Sequence, residues 1–180
     1  MGGIKTLFSE SHFLWNSDMS TFISIGNAKQ SFTRFFELVD RVSSLLPVPV
    51  CVQHGHTQYE NVDFETIDFV DMETFSRRIS EAEVVILHAG AGSVIHAIKA
   101  NKKPIIIPRE SQYGEHVDDH QLEFSEKLAE LDKVFVARNE RDLALAVTEA
   151  LKLSAQNDVY PGKALGVVKE AFDSWQKKAM

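Results

Sequence analysis

The stretch His88-Ala89-Gly90-Ala91-Gly92-Ser93-Val94-Ile95-His96-Ala97-Ile98-Lys99-Ala100, with Lys103-Pro104-Ile105-Ile106-Ile107-Pro108 behind it, decides how the chain is read. Val84-Val85-Ile86-Leu87 leads into it and is too short for a buried helix, so it reads as a parallel strand covered on both faces. The chain then turns at Gly90 and Gly92, where no side chain stands between the backbone and a ligand. Ser93 is placed to cap the helix that follows. A strand, a glycine turn and a helix start aim unpaired N–H groups and the positive end of a helix dipole at one spot, which suits a phosphate. The competing reading is plain architecture: glycines between strand and helix occur throughout α/β folds, and GxG without a third glycine does not by itself mark a nucleotide site.

Working outward, 180 residues suit one domain or slightly more. Hydrophobic content of 44% and charged content of 25% are those of an ordinary globular chain. A net charge of −7 argues against a nucleic-acid surface, which needs a basic stripe. The single cysteine, Cys51, has no internal partner, and its apolar setting reads as a buried thiol in a reducing compartment. No apolar run reaches the ~20 residues of a membrane span, and the N-terminus lacks the basic and apolar regions of a signal peptide. A soluble, cytoplasmic protein is expected.

Residues 1–20 read as an extension or irregular lead-in. Thr21-Phe22-Ile23-Ser24-Ile25 is a β-branched strand, and Phe32, Phe35, Phe36, Val39, Val42 and Leu46 follow a helical period that Pro47 ends. Val48 to Gln53 is a second strand, and Thr66 to Phe69 a short third. Met72 to Ala82 is a helix with Met72, Phe75 and Ile79 on one side. After the strand at 103–108, a polar loop leads to a helix from about His116 to Glu130. Val134-Phe135-Val136 is the last strand, and Asn139 caps a helix to about Leu153. Residues 154–180 read as a polar linker and a terminal helix that packs on the domain or on a partner. The alternation predicts a three-layer, Rossmann-like α/β domain over 21–153 with a mainly parallel sheet.

Three blocks, His88 to Ser93, Lys102 to Arg109 and Glu115 to Gln121, resemble in order and spacing the C-terminal, donor-binding half of family 28 glycosyltransferases, most of all the small members that act as one subunit of a split enzyme. The resemblance covers about residues 21 to 150. It implies half of a GT-B transferase that holds a nucleotide-diphosphate sugar, a UDP-sugar in particular, without a metal or other cofactor. It also implies a membrane-attached acceptor-binding subunit as partner, a lipid-linked acceptor in polysaccharide or glycolipid synthesis, and a general base supplied by that partner. Carried onto this chain, the donor contacts fall on Gly26, Asn27 and Gln30 in the first βα loop and on His88, Gly90, Ala91, Gly92 and Ser93 in the glycine loop. They fall also on Arg109 beside the diphosphate and on His120 and Gln121 beside the sugar. His96 stands where the family commonly has a glutamate that accepts hydrogen bonds from ribose hydroxyls, so that contact is in question.

Each of these positions has a plainer role: His88 as a structural residue, Gln30 as a solvated first-turn side chain, Arg109 as a surface cation. Two other functions stay open. One is a non-catalytic nucleotide-sugar binding or regulatory subunit. The other is a metallohydrolase built on His54, His56, His116 and His120, the last two sharing a helix face at a spacing zincins use, although Asp118 and Asp119 replace the zincin glutamate.

Overall fold

A computed structural model describes residues 20–155; the lead-in up to residue 19 and the linker and terminal helix from 156 onward lie outside the described residues. Six strands form one sheet: β1 (Thr21–Ser24), β2 (Val50–Gln53), β3 (Glu65–Ile67), β4 (Val84–His88), β5 (Ile105–Ile107) and β6 (Phe135–Val136). Their order is β3-β2-β1-β4-β5-β6, every pairing is parallel, and β1 lies between β2 and β4. In such a sheet the order reverses at β1 and β4, so the loops leaving these two strands diverge and open a crevice at their carboxyl ends.

The central strands are fully buried because helices cover both faces, which is why they read as unbroken apolar runs. Ile23, Val52, Ile86 and Ile105 face one side, against α1 (Thr33–Arg41) and α5 (Glu140–Ala155). Phe22, Cys51, Val85 and Ile106 face the other, against α2 (Met72–Glu81), α3 (Ala91–Lys99) and α4 (His120–Glu130). All six apolar positions of the first helical pattern are buried, although α1 itself ends at Arg41 and a 3-10 turn, Ser43–Leu45, carries the chain to Pro47. Cys51 is buried and free, and burial pushes its thiol up to about 12. Asn139 accepts a bond from the Asp142 N–H (2.9 Å), as expected of a cap, and α5 runs on through Ala155.

Two local expectations are corrected. Ser93 is not the cap of α3; Gly90 is the N-cap, no side chain caps the helix, and Ser93 lies within its first turn. The helix expected from His116 begins only at His120. Asp118 Oδ1 accepts from the His120 N–H (3.1 Å), two residues on, and so offers the backbone a turn in place of a helix, while Asp119 Oδ1 accepts from the Ser111 N–H (2.8 Å) and ties the helix start to the preceding loop. His116 therefore shares no helix face with His120.

Candidate functional site

At the switch point a cleft of about 380 Å³ is lined by Gly26, Asn27, Gln53, Val70, Met72, Phe75, His88, Gly90, Ala91, Gly92, Ser93 and His96. Its floor is built around His88, the last residue of β4. The imidazole fits between two glycines: a Cβ on Gly26 would lie 2.5 Å from its Cε1, and one on Gly90 only 2.0 Å from its Nε2. Gly26 also has φ of 71°, in the left-handed region. Gly90, at φ −74°, needs no unusual backbone, so close approach to His88 is what requires glycine there. His88 keeps a partly exposed edge at the cleft, while its Nδ1 is enclosed without a partner among the described residues. Burial, with the nearby Arg109 charge as a second cause, pulls its pKa down to about 4, so the ring is neutral at pH 7.

Above this floor α3 begins. The N–H groups of Ala91, Gly92 and Ser93 lie in its first turn, where a helix supplies no acceptor, and these residues line the cleft. One turn further along, His96 Nε2 lies 2.8 Å from the Ser76 hydroxyl on α2, and its ring meets Phe75 edge-on. Val70, Met72 and Phe75 form an apolar wall; Met72 lines the cleft while 65% exposed. Gln53, at the end of β2, is buried, with Nε2 3.4 Å from Asn27 Oδ1 and Oε1 unpartnered.

The remaining expected residues gather elsewhere, around the loop after β5. Arg109 is fully buried, which overturns its reading as a surface cation. Its guanidinium donates to the carbonyls of Gln30 (2.9 Å), Glu115 (3.2 Å) and Ile25 (3.4 Å) and stacks 4.4 Å over Phe32. It thus ties the loop after β1 to the loop after β5 from behind the cleft. Gln30 contributes this backbone carbonyl, and its side chain is exposed. Gln121 Oε1 accepts from the Arg109 N–H (3.1 Å). His120 Nε2 lies 3.4 Å from Asp118 Oδ2, and His116 Nδ1 2.9 Å from Asp118 Oδ1.

Among the described residues no group of three or more His, Cys, Asp or Glu is arranged to hold a metal ion. His54 is occupied by the Thr57 carbonyl (2.8 Å) and by Asp68 (3.1 Å), and His56 meets Phe69 edge-on. The four histidines of the metallohydrolase reading therefore do not converge.

Sequence reasoning missed Gln53, Val70, Met72, Phe75 and Ser76. Only Gln53 carried a signal, a polar residue closing a buried strand beside the organising loop. Val70, Met72 and Phe75 line the cleft, and Ser76 meets His96, because α2 and the residues before it pack beside α3, a tertiary contact with no local signature.

The sheet order, the glycine-lined floor and the helix start facing a cleft define a Rossmann-like ligand-binding domain. Residues 30–163 match the glycosyltransferase family 28 C-terminal domain, and the chain belongs to that family. The matched range starts after Gly26 and Asn27, which line the cleft. Over 78 residues, 43% of this chain and 25% of the relative, the sequence is 30% identical to the UDP-N-acetylglucosamine transferase subunit ALG13 of Candida albicans. The fold is similar to the glycotransferase of kitacinnamycin (TM-score 0.58, 13% identity), covering 96% of this chain and 43% of that one. It is also similar to the solution structure of ALG13 (TM-score 0.51, 17% identity), covering 81% of this chain and 90% of that one. The chain spans less than half of the kitacinnamycin enzyme, so it corresponds to one half of a GT-B architecture.

Proposed function

We propose that this chain is the donor-binding subunit of a split glycosyltransferase that transfers a sugar from a UDP-sugar to a lipid-linked acceptor. The observation that carries the reading is the cleft between the ends of β1 and β4, where the first turn of α3 meets the glycine-lined floor. The diphosphate sits against the N–H groups of Ala91, Gly92 and Ser93, and the loop of Gly26 and Asn27 closes over it. These dipoles are already oriented, so they stabilise charge building on the leaving diphosphate without reorganising and without a metal. The neutral His88 ring beneath supports both glycine loops. His120 and Gln121 complete the sugar end when the partner closes on this face. The acceptor and the general base belong to a membrane-attached partner subunit, which brings this chain to the cytoplasmic face. Among the described residues, no helix is long and apolar enough to cross a membrane.

The test is thermal unfolding of the purified chain with UDP, GDP, TDP and their common sugars, with EDTA throughout. Uridine nucleotides at one hundred times their dissociation constant are expected to add about 2.7 kcal/mol of stability. No response to any nucleoside diphosphate overturns the proposal, and a response that EDTA abolishes overturns its metal-independent form. Sugar transfer by the chain alone would overturn the split arrangement.

A further inference from the structure

Gln53, the last residue of β2, directs both its backbone and its side chain to the neighbouring loop. Its carbonyl accepts from the Ile25 N–H (3.2 Å), and its Nε2 donates to Asn27 Oδ1 (3.4 Å). These two bonds bracket Gly26, whose left-handed φ of 71° carries the loop after β1 past His88. Two residues beyond Gln53, Gly55 lies so close to that loop that an added Cβ would stand 2.6 Å from the Gly26 carbonyl oxygen. The loop after β1 therefore rests on the end of β2. Gln53 is a poor choice for stability alone. It is 3% exposed, and its Oε1 has no partner among the described residues. A buried carbonyl oxygen without a donor is destabilising, and one long bond from Nε2 does not offset it. The rest of β2, Val50, Cys51 and Val52, is apolar, and an apolar side chain of similar shape at position 53 would serve the fold as well.

We infer that Gln53 is a positioning residue whose amide fixes the orientation of Asn27, and with it the shape in which the loop after β1 receives the diphosphate. The inference rests on the proposed nucleotide-sugar function and adds to it a residue that acts through Asn27 rather than on the ligand. A carboxamide carries its oxygen and its NH2 on opposite sides of one carbon. Asn27 is exposed at the cleft, and its oxygen is held by the buried Gln53, so its NH2 is turned away from Gln53. An anion is attracted by that donor and repelled by the oxygen. Without the Gln53 amide the Asn27 side chain is free to rotate and presents either group.

The test replaces Gln53 with methionine, unbranched and of similar length, in the full chain. Backbone nitrogen relaxation is expected to show lower order parameters at Gly26, Asn27 and Ala28 in Gln53→Met than in the wild type, with β4 unchanged. The urea midpoint should stay or rise, because an unpartnered buried oxygen is removed. UDP affinity is expected to fall roughly three- to tenfold, the size of one neutral hydrogen bond, and the loss should vanish in the Asn27→Ala background. Gln53→Leu repeats the measurements if the first variant does not fold. Unchanged order parameters, a lowered midpoint or an unchanged UDP affinity overturns the inference. A loss of affinity that persists in Asn27→Ala also overturns it, because Gln53 then acts on the ligand directly. A wild-type chain that binds no nucleoside diphosphate overturns the proposed function, while the relaxation data still decide whether Gln53 holds the loop.

Discussion

At the scale of single residues, the site is organised by what one imidazole excludes. His88 fills the space that a methyl group at position 90 would need, with 2.0 Å left between Nε2 and an added Cβ. Gly90→Ala must displace either the ring or the helix start, so a loss on the order of 1–3 kcal/mol is expected in urea unfolding. In the His88→Ala background the obstruction is gone, and Gly90→Ala should cost little; a penalty that stays the same would show that His88 is not its cause. Gly26→Ala has no such rescue, because the added Cβ meets a left-handed φ of 71° as well as the ring. Gly90 was legible as a glycine loop in the sequence. Its reason was not, because nothing in Gly-x-Gly says that a histidine two residues earlier turns back beneath the loop.

At the scale of elements, the loop after β1, which frames the cleft, is held to the loop after β5 by groups outside the cleft. Arg34 reaches from α1 to Glu115 through paired bonds of 2.9 and 2.7 Å and to the Pro108 carbonyl at 2.8 Å. Beside it Arg109 spans the carbonyls of Ile25, Gln30 and Glu115. A lysine has neither the planar fork nor the stacking face that this position uses. Arg109→Lys should therefore lower unfolding stability by about 2–3 kcal/mol, the cost of buried carbonyls left without donors. The control is Arg138→Lys at the exposed Glu126 pair, where a change within about 0.5 kcal/mol is expected. Equal effects at the two sites would remove Arg109 from its role as the clamp. The family resemblance placed Arg109 beside the diphosphate; in the structure it joins the loops after β1 and β5 and does not line the cleft. Its burial was illegible, because the carbonyls that capture it come from residues 25 and 30, some eighty positions earlier.

At the scale of the whole molecule, the neutral histidine at the centre of the sheet edge couples folding to acid. The unfolded chain binds a proton at His88 below about pH 6.5, whereas the folded chain does so only near 4. Stability is therefore complete above 6.5 and declines as pH falls toward 4, by up to about 1.4 kcal/mol per pH unit from this group. Denaturant unfolding between pH 7 and pH 4.5 measures the slope, and His88→Asn, which does not titrate, should remove this part of it. The same slope in both proteins would assign the acid sensitivity to the carboxylates instead. Burial decides the sign: charging the ring would place an ion beside the Arg109 guanidinium where most of the ring is shielded from water.

Alternating apolar runs and helical periods, read from the sequence alone, determined six strands, the helices between them and a parallel sheet, because periodicity and chain direction are local properties. The glycine loop after β4 was placed by the same local logic, and the family by three spaced motifs. Only the tertiary structure decided that β1 and β4 are neighbours, and so which two loops face each other across a cleft. It also decided that Arg109 lies behind that cleft, that His116 leaves the α4 helix, and that Ser76 meets His96. Each of these depends on groups far apart in the chain, or on a carboxylate choosing between a turn and a helix, and such choices are settled by packing rather than by the pattern of neighbouring residues.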